Sequence, residues 1–428
     1  MNTMKQKQIF IITQPEIIDT VGGAITVCIN MCNLFQSNGY QITLFCYTEK
    51  EGSPKNLNEN IQFINLNKYY KDLSFSSAIN LYLKENKADL LIFFFPFLYR
   101  QANLNKEFAD IPRILTLHSR PDFYFSIPQE KQNTLKELFI NSITQILFPS
   151  YQKLLPDFLK DNPVYCISNP VELSEKHIDT SVENKKIIYL SRIDACKGLE
   201  FLIKSFAIIA HKYPDWTIDI FGQSQPPEYK NKLIKLTKKL KVETQINFCG
   251  ITTNAINTFL NYDFCVFPSF FEGIPLGLLE AQTVGLPAIG LKGCSGVNEL
   301  IVDNVNGFLC DKSESDFASK IELLINNRQL REKFSKEAIK ESSKYEKSKI
   351  DKMWLKLIND ILTKQKIENN FEATDCKYEL FSIQDIYKMS NISSINYRPL
   401  ELIFSIKNIY KNKVLTILGF RIKLPNNF

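Results

Sequence analysis

The sequence predicts an α/β fold made of two doubly wound domains, and three observations support this prediction. Short apolar runs, typical of buried parallel strands, alternate along the chain with segments of helical periodicity. This alternation occurs in two successive series that a polar segment separates. At 428 residues, the chain is long enough for two domains of ordinary size and an extension. We therefore expect two parallel sheets, each covered by helices.

The first series predicts an N-terminal domain over residues 1–168. Gly22 and Gly23 follow the first strand and precede a helical pattern, so the backbone can approach a ligand closely at a helix start. His118 ends the fourth strand and is one of 3 histidines. A simple tight turn and a structural histidine stay open as alternatives. The strands of this domain are predicted at Ile9–Thr13, Gln41–Tyr47, Asp89–Phe95, Arg113–His118 and Gln145–Pro149.

The second series predicts a C-terminal domain over residues 185–330, after a polar linker at residues 169–184. Arg192 and Lys197 come directly after its first strand. Helical patterning continues through residues 331–364, and residues 365–428 follow as a basic and aromatic extension. The strands are predicted at Lys186–Ser191, Trp216–Gly222, Gln245–Gly250, Asp263–Phe267, around Ile289, and at Gly307–Cys310.

The most informative segment begins at the strand Asp263–Phe267. Glu272 falls in the loop after this strand, and Pro275 can occupy the first position of a helix that contains Glu280. In open α/β sheets, ligands bind at the carboxyl ends of strands. Free N–H groups at a helix start favour phosphate or sugar oxygens, and ionised carboxylates accept hydrogen bonds from hydroxyl groups. This segment therefore predicts a site for a sugar attached to a nucleotide diphosphate.

Composition and charge exclude several other classes of protein. The net charge of +6 is too small to indicate nucleic-acid binding, although it is compatible with anionic substrates or an anionic membrane surface. The 10 cysteines form no C-x-x-C pair, which fits free thiols in a reducing cytosol. No apolar stretch has the length of a signal-peptide core or the roughly 18 residues of a spanning helix. We expect a cytoplasmic or peripheral protein.

Motifs in a fixed order extend this interpretation. The main pieces are Glu272-Gly273 and Glu280-Ala281, with Gly285 and Pro287 behind them. The supporting pieces are Gly22-Gly23, Asn169-Pro170-Val171, and Ser191-Arg192 with Lys197-Gly198. In these pieces the sequence resembles the family 4 glycosyltransferases, which are retaining enzymes of the GT-B fold, over roughly residues 8 to 312. Two glutamates at this spacing are not specific by themselves, whereas four pieces in family order are.

The resemblance implies an arrangement of the domains. Two Rossmann-like domains would face each other across a cleft, with the acceptor on the side of the first and the nucleotide sugar bound by the second. Helices of residues 331–364 would cross back to the first domain. Residues 365–428 lie outside the resemblance.

The resemblance also implies roles for the site residues. Arg192 and Lys197 would hold the donor diphosphate and stabilise the negative charge on the leaving nucleotide, so that no metal is needed. Glu272, with Gly273 beside it, would contact the donor sugar, and Glu280 would contact the ribose.

Further contacts are implied for the backbone and for the first domain. Amides at Leu276 and Gly277 would face the sugar or the phosphate. The Gly22-Gly23 loop would lie beside the donor phosphate and the acceptor, and His118 would face one of the sugars. The sequence departs from the commonest family form at Pro275, where a glycine usually stands. Because proline has no N–H, any contact through that amide is absent.

The function that the resemblance implies is that of a hexosyltransferase. It would move a sugar from a nucleotide-diphosphate donor, with UDP as the expected nucleotide, to a hydroxyl of a glycan or lipid-linked acceptor. Lipopolysaccharide, capsule and other bacterial surface glycans are the expected settings. Two alternatives stay open. One is a non-catalytic scaffold that binds nucleotide sugar, and the other is a different GT-B enzyme such as a sugar-nucleotide epimerase. A scaffold would bind UDP but release none from a UDP-sugar.

The last part of the extension combines basic and apolar residues. Its single acid is Glu401, and its cations are Arg398, Lys407, Lys411, Lys413, Arg421 and Lys423. Basic and apolar residues together are typical of an element on the inner membrane surface. A terminal extension that packs on a domain is the other interpretation.

Overall fold

The structure is a computed structural model that describes residues 6–18, 22–125, 139, 142–160, 162–365, 367–368, 370–372, 374, 378–389, 406–409, 412–417 and 420–423. The chain divides into two compact units, each with its own parallel sheet, so the predicted α/β class with two doubly wound domains is confirmed. The first unit consists of Met1–Ser168, Asp351–Thr374 and Ser394–Phe428, and the second of Asn169–Ile350 and Asp375–Ser393. Residues 365–428 are thus divided between the two units.

The first unit contains a seven-stranded parallel sheet in the order β3-β2-β1-β4-β5-β6-β7. Its strands are β1 Gln8–Ile12, β2 Gln41–Cys46, β3 Gln62–Asn65, β4 Leu90–Phe93, β5 Arg113–Thr116, β6 Ser142–Ile146 and β7 Val164–Cys166. Its helices within the described ranges are α1 Gly23–Ser37, α2 Leu66–Tyr69, α3 Phe75–Glu85, α4 Pro96–Ala102, α5 Pro121–Tyr124 and α6 Asp157–Lys160. Strands β3 and β7 were not predicted from the sequence. The reason is that β3 buries one residue, Ile64, and β7 has 3 residues, so neither presents an apolar run.

One strand of the first unit differs in position from its prediction. The prediction was Gln145–Pro149, whereas the strand is Ser142–Ile146. Its buried residues include Ser142 and Thr144, both fully buried, and these polar residues hide the strand from an analysis of apolar runs. The apolar residues that follow Ile146 gave the wrong boundaries.

The second unit contains a six-stranded parallel sheet in the order β10-β9-β8-β11-β12-β13. Its strands are β8 Lys186–Leu190, β9 Thr217–Phe221, β10 Ile246–Gly250, β11 Phe264–Phe267, β12 Ala288–Leu291 and β13 Gly307–Cys310. Its helices within the described ranges are α7 Leu199–Ile209, α8 Tyr229–Lys239, α9 Ala255–Phe259, α10 Leu276–Thr283, α11 Ser295–Leu300, α12 Glu314–Asn326, α13 Arg328–Ser342 and α15 Ile383–Met389. Helix α14, Lys347–Leu362, begins in this unit and continues in the first.

The strand order of the second sheet determines where its loops meet. Strands β8 and β11 are neighbours, with Phe264 paired to Ile187, although they are far apart in sequence. The order runs outward from this pair in both directions, which makes it the switch point of the sheet. Ligands of open α/β sheets bind outside the carboxyl ends of the strands at such a point. The loops that follow β8 and β11 both begin there.

The basic and aromatic stretch at residues 398–428 is described in part. Its described residues are the strands β14 Ile406–Ile409, β15 Asn412–Ile417 and β16 Phe420–Lys423, which form an antiparallel sheet. Arg398, Glu401 and Lys411, on which the sequence interpretation also depended, lie outside the described residues. Within the described ranges, no helix is both long and apolar enough to span a membrane.

Candidate active site

A buried ion pair lies at the switch point of the second sheet. The Lys197 ammonium stands 2.7 Å from Oε1 of Glu272, and the two side chains are 8% and 9% exposed. The hydroxyl of Ser269 donates a hydrogen bond of 2.8 Å to the same Oε1. Oε2 of Glu272 accepts no hydrogen bond from the described residues. The carboxylate is therefore held on one side and has an oxygen left to accept a hydrogen bond from a ligand.

Lys197 owes its position to a short turn after β8. The turn Ala195–Lys197 begins with Asp194 as its cap, whose Oδ1 accepts a hydrogen bond of 2.9 Å from the Cys196 amide. The Cys196 carbonyl in turn accepts a hydrogen bond of 2.9 Å from the Phe270 amide, which lies in the loop after β11. The loops that carry Lys197 and Glu272 are thus joined through their backbones.

Gly198 allows these two loops to approach each other. Its φ of +69° lies in the left-handed region that favours glycine, and a Cβ added there would stand 2.0 Å from the Pro268 carbonyl oxygen. The sequence motif Lys197-Gly198 therefore has a steric cause as well as a charge.

We expect Gly198→Ala to lower the melting temperature much more than Gly250→Ala. Gly250 has a similar φ of +79° but has nothing within 4 Å of an added Cβ. Both variants incur backbone strain of about 1–2 kcal/mol, whereas only Gly198→Ala also forces backbone atoms apart, at a further cost of about 1–3 kcal/mol. Thermal unfolding of both variants measures the difference. Equal melting temperatures would contradict the close approach of the loops.

Arg192 lies on the surface beside the buried pair. Its side chain is 55% exposed, lies 3.5 Å from Asp194 and donates a hydrogen bond of 3.1 Å to Oε1 of Gln225. Its backbone is fixed, because the buried Tyr189 hydroxyl donates a hydrogen bond of 2.6 Å to the Arg192 carbonyl. An exposed guanidinium on a fixed backbone is suited to contact an anionic ligand.

Helix α10 starts beside Glu272, as the sequence predicts, but its first residue differs. Pro275 was expected at the first helical position, whereas it is the cap, and Leu276 begins the helix. The reason is that Pro275 has a non-helical ψ of 97°, while its carbonyl accepts hydrogen bonds from the amides of Leu278 and Leu279. The amides of Leu276 and Gly277 occupy the first turn, where a helix has no internal acceptor for them. They can donate to an anionic or sugar oxygen.

Gly277 brings this helix start against the end of β8. A Cβ added at Gly277 would stand 2.6 Å from the Leu190 carbonyl oxygen. The helix start therefore lies next to the point from which Ser191 and Arg192 leave the sheet.

Glu280 lies about one turn inside α10. Burial raises the pKa of its carboxyl group from 4.5 to about 7. The pKa is thus raised in the folded state above its unfolded value, which means that the buried site disfavours the charged form. A bound ligand with hydroxyl donors would favour the charged form instead, because an ionised carboxylate accepts their hydrogen bonds.

We expect Glu280→Gln to stabilise the empty protein above neutral pH. Because the folded pKa is raised, stability falls as the pH rises from about 4.5 through about 7, and the whole penalty is present above that. Removing the charge should return up to about 3 kcal/mol near pH 8 and almost nothing near pH 4.5. Thermal unfolding at both pH values, with the exposed Glu243→Gln variant as control, measures this. The same gain at both pH values would contradict the assignment.

Two serines that the sequence interpretation did not select hold the Glu272 loop. Ser269 contacts the carboxylate, and the Ser295 hydroxyl donates a hydrogen bond of 2.9 Å to the Glu272 carbonyl. Gly296 lies so close that an added Cβ would stand 2.4 Å from the Gly273 carbonyl oxygen. The available signal for Ser269 was a hydroxyl residue three positions before a glutamate at a strand end. Ser295 had no such signal, because its contact spans 23 residues of sequence.

The remaining predicted site residues belong to the first unit. His118 stacks on Phe94 with ring centroids 4.0 Å apart, and its Nε2 lies 2.9 Å from Oγ1 of Thr116. Gly22 caps α1, and an added Cβ there would meet nothing within 4 Å, so crowding does not require a glycine. Residues 19–21, which precede this glycine, lie outside the described residues. The ligand-contacting roles of His118, Gly22 and Gly23 stay predictions.

Metal ligands were also examined in the described part of the chain. No group of three or more His, Cys, Asp or Glu residues among the described residues could hold a metal ion. Metal-independent action stays a prediction.

Two family models match the chain, one after the other. The model described as Glycosyltransferase Family 4 matches residues 21–175, and the model described as Glycosyl transferases group 1 matches residues 172–341. The matches together include Arg192, Lys197, Glu272 and Glu280.

Relatives and a solved structure agree with these models. An uncharacterized glycosyltransferase of Haemophilus influenzae is 28% identical over 348 residues, covering 79% of this chain and 96% of that protein. The O-antigen biosynthesis glycosyltransferase WbnH of Escherichia coli is 24% identical over 78% of this chain and 94% of its own length. TarM of S. aureus, solved with fondaparinux, alpha-GlcNAc-glycerol and UDP, has a TM-score of 0.67 at 16% identity, covering 83% of this chain and 100% of that one. It shares the fold.

Proposed function

Because this chain belongs to the family 4 glycosyltransferases of GT-B fold, we propose that it is a retaining hexosyltransferase that uses a UDP-sugar donor. The acceptor would be a hydroxyl of a glycan or lipid-linked glycan in the assembly of a bacterial surface polysaccharide. The UDP bound in TarM supports the donor, and the name of WbnH supports the setting.

The observation that carries the proposal is the buried Lys197–Glu272 pair at the switch point. A nucleotide-diphosphate leaving group gains negative charge as the bond to the sugar breaks. The buried Lys197 ammonium would stabilise this charge in a site of low dielectric, where such contacts are strongest, and the exposed Arg192 would add a second cation. The α10 amides of Leu276 and Gly277 would donate to the phosphate or to the sugar.

Glu272 would position the donor sugar rather than react with it. Its Oε1 is occupied by Lys197 and Ser269, so Oε2 would accept a hydrogen bond from a sugar hydroxyl. Glu280, in its charged form, would accept hydrogen bonds from the ribose hydroxyls, which compensate for its burial.

The chemical step follows from a leaving group that can also accept a proton. The bond between the anomeric carbon and the phosphate oxygen breaks, and the acceptor oxygen forms its bond on the same face of the sugar. The acceptor proton passes to the departing phosphate oxygen. This front-face path retains the anomeric configuration and needs no covalent enzyme intermediate.

A nucleotide panel tests the proposed donor. We expect millimolar UDP to raise the melting temperature selectively over GDP, ADP and CMP, because a ligand of the folded state stabilises it by about 2.7 kcal/mol at a hundredfold excess over its dissociation constant. No shift with any nucleotide would contradict the proposal. UDP release from UDP-sugars then distinguishes an enzyme from a scaffold, since a scaffold would bind UDP and release none.

We also propose a location on the inner face of the cell membrane, through residues 398–428. The support is the composition of this stretch, in which six cations stand against one acid among apolar residues. Co-sedimentation with anionic liposomes should fall when these residues are deleted. Unchanged co-sedimentation of the shortened protein would contradict this location.

A further inference from the structure

A short segment beyond both family matches contacts the loops of the site. Residues Tyr378–Ile386, which we call the brace, belong to the second unit, whereas the matches end at residue 341. Ser382 caps helix α15, since its hydroxyl accepts a hydrogen bond of 3.0 Å from the Asp385 amide and donates one of 2.6 Å to the Asp385 carboxylate. Ile386 on this helix is 5% exposed, within the core of the second unit. The brace is therefore anchored by both a cap and a buried residue.

The first contact of the brace is with the loop after β12. The Phe381 amide donates a hydrogen bond of 2.9 Å to the Gly293 carbonyl. The Phe381 ring lies directly over Gly293, where an added Cβ would stand 2.4 Å from a ring carbon. This loop leads to Ser295, whose hydroxyl holds the Glu272 carbonyl. Phe381 thus packs two residues away from a direct support of Glu272.

The second contact is with the loop after β11. The Phe381 ring meets the Phe270 ring edge to face, with centroids 6.3 Å apart and planes at 79°. Phe270 is buried, and it lies next to Ser269 and two residues before Glu272. Its amide also donates to the Cys196 carbonyl.

The third contact is with the loop after β8. Helix α15 packs against the turn Ala195–Lys197, which carries the buried cation of the site. Ile386 shares its core with Ile193, and Ala195 and Cys196 pack against that core. One segment therefore contacts all three loops that hold the Lys197–Glu272 pair.

We propose that Phe381 is a positioning residue, and that the brace holds the Lys197 and Glu272 loops in their ligand-binding geometry. Without it, these loops would have to be ordered when the donor binds, and that cost would reduce affinity. The inference rests on the proposed function only where nucleotide binding is measured, because the order of the loops can be measured without any ligand.

The test compares Phe381→Ala with Phe381→Leu, which keeps an apolar side chain, and with Gln384→Ala, an exposed control on the same helix. Hydrogen exchange of residues 192–198 and 269–277 is measured without ligand, and UDP affinity by calorimetry. We expect Phe381→Ala to speed exchange in both loops and to weaken UDP binding about tenfold. Phe381→Leu should recover most of both, and Gln384→Ala should match the wild type.

Gly293→Ala provides a second route to the same disturbance, because its methyl group displaces the ring while Phe381 is kept. It carries the test if Phe381→Ala does not fold. A folded Phe381→Ala or Gly293→Ala variant with wild-type exchange in both loops would overturn the proposal. If loop exchange rises as expected but even the wild type fails to bind UDP, the brace stands and the proposed donor is wrong.

Discussion

Glu272→Gln will slow sugar transfer about a hundredfold to a thousandfold while the protein stays folded. The substitution keeps the shape of the side chain and an oxygen for the Ser269 hydroxyl, but it removes the charge that Lys197 faces at 2.7 Å and the best acceptor for a sugar hydroxyl. Loss of one preorganised polar group in an active site commonly costs this factor. Steady-state rates at saturating donor measure it.

Stability must be followed in the same variant. Removing one partner of a buried ion pair leaves the other charge uncompensated and can cost about 3–5 kcal/mol. The rates are therefore compared at a temperature at which circular dichroism shows the variant to be folded, with the exposed Glu243→Gln variant beside it. A folded Glu272→Gln protein of full activity would remove Glu272 from the site.

Lys197→Met will also abolish transfer, and combining it with Glu272→Gln will restore stability without restoring activity. The methionine keeps the length and apolar stem of the side chain but removes the ammonium from a position that is 6% exposed. Each single variant leaves one charge buried alone, whereas the double variant leaves none. We therefore expect the double variant to be more stable than the sum of the single effects predicts, by about 1–3 kcal/mol.

The double variant distinguishes a functional pair from a structural one. If the pair only held the loops together, a stable double variant would keep most of its activity. The account predicts that activity stays at least about a hundredfold below the wild type, because the cation that faces the leaving diphosphate is gone. Additive stability effects would contradict the direct pairing of Lys197 with Glu272.

The fold was largely predictable because buried parallel strands are continuous apolar runs. Strand β11 is an example, since all four of its residues are buried. The prediction was wrong where a strand buries polar residues, as β6 does with Ser142 and Thr144. It missed the partly exposed β3, whose hydrogen bonds to β2 leave little pattern in the sequence.

The candidate site could be predicted only in part, for a geometric reason. Arg192, Lys197 and Glu272 follow strands whose carboxyl ends meet at one edge of the second sheet, so sequence order alone places them together. The contact between Lys197 and Glu272 depends instead on how closely the loops approach, which Gly198 permits.

Contacts between distant parts of the chain leave no local signal. The bond from Ser295 to the Glu272 carbonyl joins separate loops, and Phe381 reaches Gly293 from beyond the family matches. The sequence interpretation therefore assigned no role to either residue.

The most direct test of the central claim is the release of UDP from a panel of UDP-sugars, measured with the wild type and with Glu272→Gln. The account predicts that the wild type releases UDP from at least one donor, faster when a glycan or lipid-linked acceptor is added, and that Glu272→Gln releases it at least about a hundredfold more slowly. Binding of UDP with no release from any donor, or equal release by both proteins, would contradict it.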